Sequence, residues 1–326
     1  MTDDEPTKRW NDYAAAWTQD RVLEQADLER LRGRPEYRDF FGLRYGDVSA
    51  DGAAVVGRDG FIFVNDGSNR WRDQLAGSFI AGDEVIAQTA SALRDIAAAA
   101  EGRGIAFHIL FVPEKDVVHP ELSPNADCGV TEVRTIHRIL DHLKIPAVYP
   151  LAAMTDAARH LRLFHARNSH SNFFGGLITA NALLEVMGRQ PLDLTAVASE
   201  QMERHDDLSA KWVAGLVTRR RAVARIYHED ILADPPGHAG KHIVLTHLGA
   251  QTDTSLMIFG DSYAWNYPAG LSRFMTAVFR TVHFIWDKQI DWALVDRVRP
   301  QALVMQSAER FLVRPIISNG DRHVEA

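Results

Sequence analysis

Apolar residues fall into short dense runs, and between the runs they recur at helical spacing. The runs are Ile105–Val112, Leu256–Phe259, Val278–Ile285 and Ala302–Gln306. Their length suits strands buried on both faces, as in a parallel sheet. Between them, Val85, Ile86, Leu93 and Ile96 repeat with a helical period after Asp83, and the pattern stops at Gly102 and Gly104. Asp is a good N-cap and Gly a good helix stop. Further helices are predicted over 131–143, 152–161, 173–187 and 288–298, with another after Ser262 to about Thr276. The segment 53–65 reads as two short strands joined by Gly57-Arg58-Asp59-Gly60, because Asp-Gly between apolar runs is a hairpin signal. Residues 146–149 suggest a short strand, 163–172 a polar β-like stretch, and 188–240 read as irregular. Strands alternating with helices predict an α/β fold with a mostly parallel sheet covered on both faces.

Ahead of this pattern, residues 1–50 are charged and interrupted by Pro6 and Pro35. Trp10, Tyr13, Ala14 and Trp17 suggest a short amphipathic helix there. The expected organisation is an N-terminal extension over 1–50, one domain over 51–315, and a disordered tail over 316–326. The 326 residues are 46% hydrophobic, ample for a sizeable core. A net charge of -7 disfavours a broad nucleic-acid-binding face. The run Arg219-Arg220-Arg221 with Arg225 reads most simply as a solvated surface, with phosphate binding as the sharper alternative. A lone Cys128 excludes an internal disulfide. No apolar leader core and no run of ~18 apolar residues is found, so no membrane span and a cytoplasmic location are expected.

Candidate chemistry centres on Gly260-Asp261-Ser262, where an apolar run stops and an aromatic segment begins. A serine at the carboxyl end of a strand and the start of a helix has free backbone N–H groups beside it, which can stabilise an oxyanion. The plainer alternative makes Asp261 and Ser262 ordinary turn caps. A nucleophilic serine needs a base, and the base needs an orienting partner. Among 14 histidines, His170 has Asn168 and Asn172 two residues to either side, on one face of an extended segment. His165 with His170, and His242 with His247, match no standard zinc spacing, and no nucleotide-binding glycine motif is present.

Six ordered segments extend this reading to a resemblance. They are VVGRDGFIFVND (Val55–Asp66), FVPEKDVVHPELSP (Phe111–Pro124), RNSHSNFFGG (Arg167–Gly176), HDDLS (His205–Ser209), IFGDSYAWN (Ile258–Asn266) and PQALVMQSAERFL (Pro300–Leu312). Together they resemble the alginate O-acetyltransferase-like branch of the SGNH hydrolase superfamily. They are similar in turn to its opening hairpin, its Val-Pro-x-Lys strand and loop, its Asp-x-His-Trp-Asn motif, a Gly-Asp-Leu element, its Gly-Asp-Ser block and its closing strand. The resemblance implies a three-layer α/β/α domain with the His motif preceding the Ser block. It also implies acyl transfer, with Ser262 attacking an acyl donor, His170 taking its proton, and a sugar-like hydroxyl or water relieving the acyl-enzyme. Lys115, Asn172 and Tyr263 are the substrate-binding candidates. No bound cofactor is expected; acetyl-CoA or an acyl-carrier thioester is the expected kind of donor, and a small molecule or glycan the acceptor.

The chain departs from the family at two places: Asn168 replaces its aspartate and Ser171 its tryptophan. An amide accepts a bond from imidazole but brings no charge, and in a serine protease that exchange costs ~10^4 in kcat. The pair then runs as a dyad or recruits another carboxylate. Asp261, Glu309, Asp66 and Asp116 are the candidates. Two alternatives stay open: an esterase or deacetylase, in which the same Ser-His pair passes the acyl group to water, and a carbohydrate-binding or accessory protein that keeps the fold with a weakened triad.

Overall fold

The dense apolar runs pair with one another. The computed structural model describes residues 4–67, 69–265 and 269–317. Strands in chain order are β1 (Ala54–Val56), β2 (Ile62–Val64), β3 (Ala106–Val112), β4 (Ser199–His205), β5 (Val217–Val223), β6 (His228–Ala233), β7 (Lys241–Thr246), β8 (Thr252–Gly260), β9 (Phe279–Trp286) and β10 (Ala302–Ala308). The central sheet has the order β3-β10-β8-β9-β7-β6. Its first four strands are parallel, with Ala302 opposite both Ala106 and Leu256, and Gly260 opposite Trp286. β7 and β6 complete it antiparallel. The carboxyl ends of β3, β10, β8 and β9 therefore share one edge, where ligands bind in sheets of this kind.

Side-chain alternation along each strand divides the core in two. Leu256, Ile258, Val304 and Phe284 face the helix Phe173–Val186. Met257, Phe259, Leu303 and Met305 face the helices Asp83–Glu101 and Thr135–Leu143. The expected three-layer α/β/α architecture is what forms.

Several expectations need correction. Residues 188–240 are not irregular: β4 and β5 form an antiparallel hairpin, and β6 joins the sheet edge. The N-terminal helix is long, Asp4–Arg32. Pro6 falls in its first turn, where backbone N–H groups have no intrahelical partner to lose. Gly82, not Asp83, occupies the N-cap of the next long helix. Val148 makes a single parallel bridge to Leu110, and Phe164 bridges Ser171, so neither 146–149 nor 163–172 is a full strand. The helix expected after Ser262 is two short ones, Ser262–Trp265 and Leu271–Met275; residues 266–268 lie outside the described residues, as do 318–326 of the predicted tail.

The Arg219–Arg221 run is not a plain solvated surface, since each arginine is paired with a carboxylate. It lies in β5, so its side chains alternate. Arg219 pairs with Asp27 and Arg221 with Asp20, both on the helix Asp4–Arg32. Arg220 turns inward to Asp206.

Candidate active site

β8 ends at Gly260, and its last turn is held by one glutamine. Buried Gln306 on β10 accepts the Asp261 N–H through Oε1 (3.0 Å) and donates from Nε2 to Asp261 Oδ1 (3.0 Å). A Cβ at position 260 would stand 2.5 Å from that Oε1, which is why glycine is needed here. The Asp261 carboxylate also accepts from Tyr263 N–H (3.0 Å) and Ala308 N–H (2.7 Å). Asp261 is therefore the clamp of the serine turn, and its three bonds go to that turn and to β10, with none to a histidine among the described residues. Ser262 is half-buried, and its N–H has no hydrogen-bond partner among the described residues.

The histidine comes from the loop before the helix Phe173–Val186. Asn172 caps that helix, its Oδ1 accepting from Phe174 N–H and Gly175 N–H while its Nδ2 donates to the Arg162 carbonyl. Its amide is thus engaged in structure, not turned to a substrate. Inside the loop, Asn168 Oδ1 accepts the His170 N–H (3.1 Å) and lies 2.8 Å from His170 Nδ1. Ser169 Oγ is 3.2 Å from the same nitrogen. Nε2 of His170 is buried without a hydrogen-bond partner among the described residues. Burial pushes this imidazole down to about 4, with Asp207 opposing and Arg310 adding to the shift, so it is a neutral base at pH 7.

Tyr263 joins the two halves. Its ring centroid is 5.1 Å from that of His170, and its hydroxyl lies 2.9 Å from the Ser169 carbonyl and 3.1 Å from Glu114 Oε2. Arg310 Nη1 donates to both Glu114 oxygens (2.8 and 2.7 Å). The residue next to Ser262 thus packs on His170 and is fixed by a buried network. The Tyr263 hydroxyl, expected to meet substrate, is engaged by Glu114 and the Ser169 carbonyl. Lys115, also expected to bind substrate, is buried, and its Nζ donates to the carbonyls of Ile62 (2.7 Å) and Ala166 (3.3 Å). It ties the β1–β2 hairpin to the loop that carries His170.

The remaining candidate acids are committed elsewhere or exposed. Glu309 accepts from Arg134 Nε (2.5 Å) and the Tyr149 hydroxyl (2.7 Å). Asp116 accepts from Trp71 Nε1, Ser123 Oγ and Asn125 Nδ2. Asp66 is exposed on the bend after β2. The carboxylate nearest to the imidazole is one the sequence reading passed over. Asp207 Oδ2 lies 3.8 Å from His170 Nδ1 and accepts the Ser169 hydroxyl (2.6 Å), while its Oδ1 accepts the Ser169 N–H (2.9 Å). The only signal pointing to it was HDDLS, read as a motif without a role. Gln306, Glu114 and Arg310 lie within the segments Phe111–Pro124 and Pro300–Leu312 that carry the resemblance, but nothing local gave them a role.

A cavity of about 860 Å³ opens behind the histidine loop, between the helix Asp4–Arg32 and β5. Glu24, His165, Arg167 and Arg220 line it, but Ser262 and His170 do not. Among the described residues no cluster of His, Cys, Asp or Glu suits a metal ion, and no helix is long and apolar enough to cross a membrane.

The α/β/α sandwich, with its mostly parallel central sheet and Ser262 at a parallel-strand end, has an SGNH-hydrolase-like fold. No protein-family model matches the sequence, and no curated protein matches it significantly. Solved structures do. The chain is similar to a DHHW family protein from Eubacterium siraeum, with a TM-score of 0.59 at 13% identity, over 84% of this chain and 100% of that one. It is also similar to PatB1 from Bacillus cereus, with a TM-score of 0.57 at 10% identity, over 82% and 98% of the two chains. A second PatB1 structure, with a sulfonyl adduct, gives 0.57 at 9% identity over 79% and 94%. At such identities the likeness is one of fold, and it fits the resemblance read from the sequence motifs.

Proposed function

We propose that the protein is a serine-dependent O-acyltransferase, acetyl being the expected group, that acylates a hydroxyl of a sugar-like or other small acceptor. The observation that carries this reading is the pairing of a clamped serine turn with a neutral, unpartnered imidazole Nε2 across the shared Tyr263. In the first half-reaction Ser262 Oγ bonds to the acyl carbonyl carbon and its proton passes to His170 Nε2. The developing oxyanion accepts from the Ser262 N–H, the donor left free by the Asp261 turn. Collapse breaks the bond to the leaving thiol or alcohol, which takes the proton from His170. In the second half-reaction the acceptor hydroxyl gives its proton to His170, its oxygen bonds to the acyl carbon, and Ser262 Oγ leaves with that proton. Water in place of the acceptor would make the same site an esterase.

The test uses an activated acetyl ester, with and without a panel of glycoside acceptors, and a sulfonyl fluoride to label the nucleophile. Ser262→Ala and His170→Ala are each expected to lower ester turnover about 10^3-fold or more. Mass spectrometry is expected to find the label on Ser262 and an acetylated acceptor. Turnover that survives Ser262→Ala sinks the reading; release of acetate only, whatever the acceptor, turns it into an esterase.

A further inference from the structure

We propose that Asp207, acting through the Ser169 hydroxyl, supplies the negative charge that Asn168 does not, and is the positioning residue for His170. The inference rests on His170 being the base of the reaction above.

Asn168 sits where the resemblance places an aspartate, and its Oδ1 still receives His170 Nδ1 at 2.8 Å. That contact selects a tautomer, but it cannot offset the charge that appears when the imidazole takes a proton. Asp207 reaches the same nitrogen from the turn after β4, with Oδ2 3.8 Å away. The Ser169 proton points to Asp207 Oδ2 at 2.6 Å, so the Ser169 lone pairs face Nδ1 at 3.2 Å. A hydroxyl that donates to a carboxylate is a stronger acceptor, since hydrogen bonds in a chain polarise one another. The Nδ1–H thus meets two acceptors, a neutral amide and a hydroxyl backed by a full charge.

The other charges around His170 are paired or lie farther from its ring. Asp261, at the end of β8, also favours the charged imidazole, but its carboxylate is bonded to the Tyr263 and Ala308 N–H groups and to Gln306, and among the described residues it makes no salt contact with His170. Arg310, beyond β10, is paired with Glu114, and Arg220, in β5, with Asp206. His165, on the same loop, is held neutral, burial first and the neighbouring cations second pushing it well down. Tyr263 presents a ring face. Asp207 makes no ion pair with Lys or Arg among the described residues, and its salt contact is with His170. A cap for the 168–170 turn would need only an acceptor at Asp207; the reaction needs its charge.

Asp207→Asn separates these roles, because its one oxygen keeps the acceptor for the Ser169 N–H that caps the turn, while the charge is removed and an NH2 faces Ser169 Oγ. In the full chain, nuclear magnetic resonance of labelled histidine is expected to show the His170 titration midpoint at least half a pH unit lower in Asp207→Asn than in wild type. Ester turnover is expected to fall at least tenfold, with the acid limb of the pH–rate profile moving to lower pH. Asn168→Asp in the Asp207→Asn background is expected to restore both, and Ser169→Ala to give part of the loss. An unchanged His170 midpoint in folded Asp207→Asn overturns the proposal. That readout needs no turnover, so a wild type inactive on every ester would defeat the functional reading and leave this inference to its own result.

Discussion

The serine turn depends on a glycine for a reason of space. Gly260 is followed by Asp261, whose amide and carboxylate are both held by Gln306. Gln306 is fully buried in β10 and bonded at both ends of its amide, so it cannot swing away from a new methyl. Gly260→Ala places Cβ 2.5 Å from Gln306 Oε1 and 3.3 Å from Ala264 Cβ. Overpacking of this kind typically costs about 1–3 kcal/mol. The displacement is directed at the residue before the nucleophile, so turnover is expected to fall further than stability accounts for. Urea unfolding and ester kinetics on Gly260→Ala check this, with Gly82→Ala as the control, since nothing lies within 4 Å of a Cβ there. Equal rates in Gly260→Ala and wild type would mean that the clamp does not set the geometry of Ser262.

One scale up, the helix Asp4–Arg32 is docked by charge. Asp27 is buried and accepts from the backbone N–H of Arg219 (2.9 Å) and from its guanidinium (2.9–3.2 Å). Burial alone would raise the Asp27 carboxyl, but those bonds and the Arg219 charge outweigh it and hold it low. Asp27→Ala leaves a backbone donor without its acceptor, a loss of about 1–2 kcal/mol once the partial exposure of Arg219 is allowed for. Faster limited proteolysis near Gly33 is the expected readout; unchanged cleavage would show that the helix is held by other contacts. This docking also explains what the sequence could and could not disclose. β3, β8, β9 and β10 were legible because strands buried on both faces must be apolar throughout. β4 and β5 were not, since SEQMERH and VTRRRAV put their information into pairs with a helix about 200 residues earlier. The site divided likewise. Ser262 and His170 sit in local motifs, whereas Asp207 reaches the histidine loop from 38 residues beyond Ser169.

At the scale of the molecule, one edge of the sheet gathers Glu114 after β3, Glu309 and Arg310 after β10, Asp261 and Ser262 after β8, and Trp286 at the end of β9. Concentrating polar groups where the core is closed makes several of them sensitive to pH. Burial lowers the imidazoles of His108, His119, His165 and His170. Burial also lowers His242 and His283. For a group whose folded pKa lies below its unfolded value near 6.5, the unfolded chain takes the proton first as pH falls. Its contribution is complete above that value and shrinks as pH drops below it. Glu114, which burial pushes up to about 7, and Asp116, also raised by burial, act in the opposite sense below neutrality. Lys115, which burial lowers to about 7, joins the two carboxyls, since only the folded chain gains that proton as pH falls through 7. Six imidazoles set against these three groups give the imidazoles the larger share, so the melting temperature is expected to be lower at pH 5.5 than at pH 7.5. His119 gives that loss a location. Its Nε2 accepts the Leu163 N–H at 3.0 Å, a bond that imidazolium cannot make, and Leu163 begins the loop that carries His170. Acidification should therefore loosen that loop before the sheet, visible as faster amide exchange over 163–172 at pH 5.5 after correction for the intrinsic rate. A melting temperature that holds or rises between pH 7.5 and 5.5 would mean that Glu114, Asp116 and Lys115 outweigh the histidines.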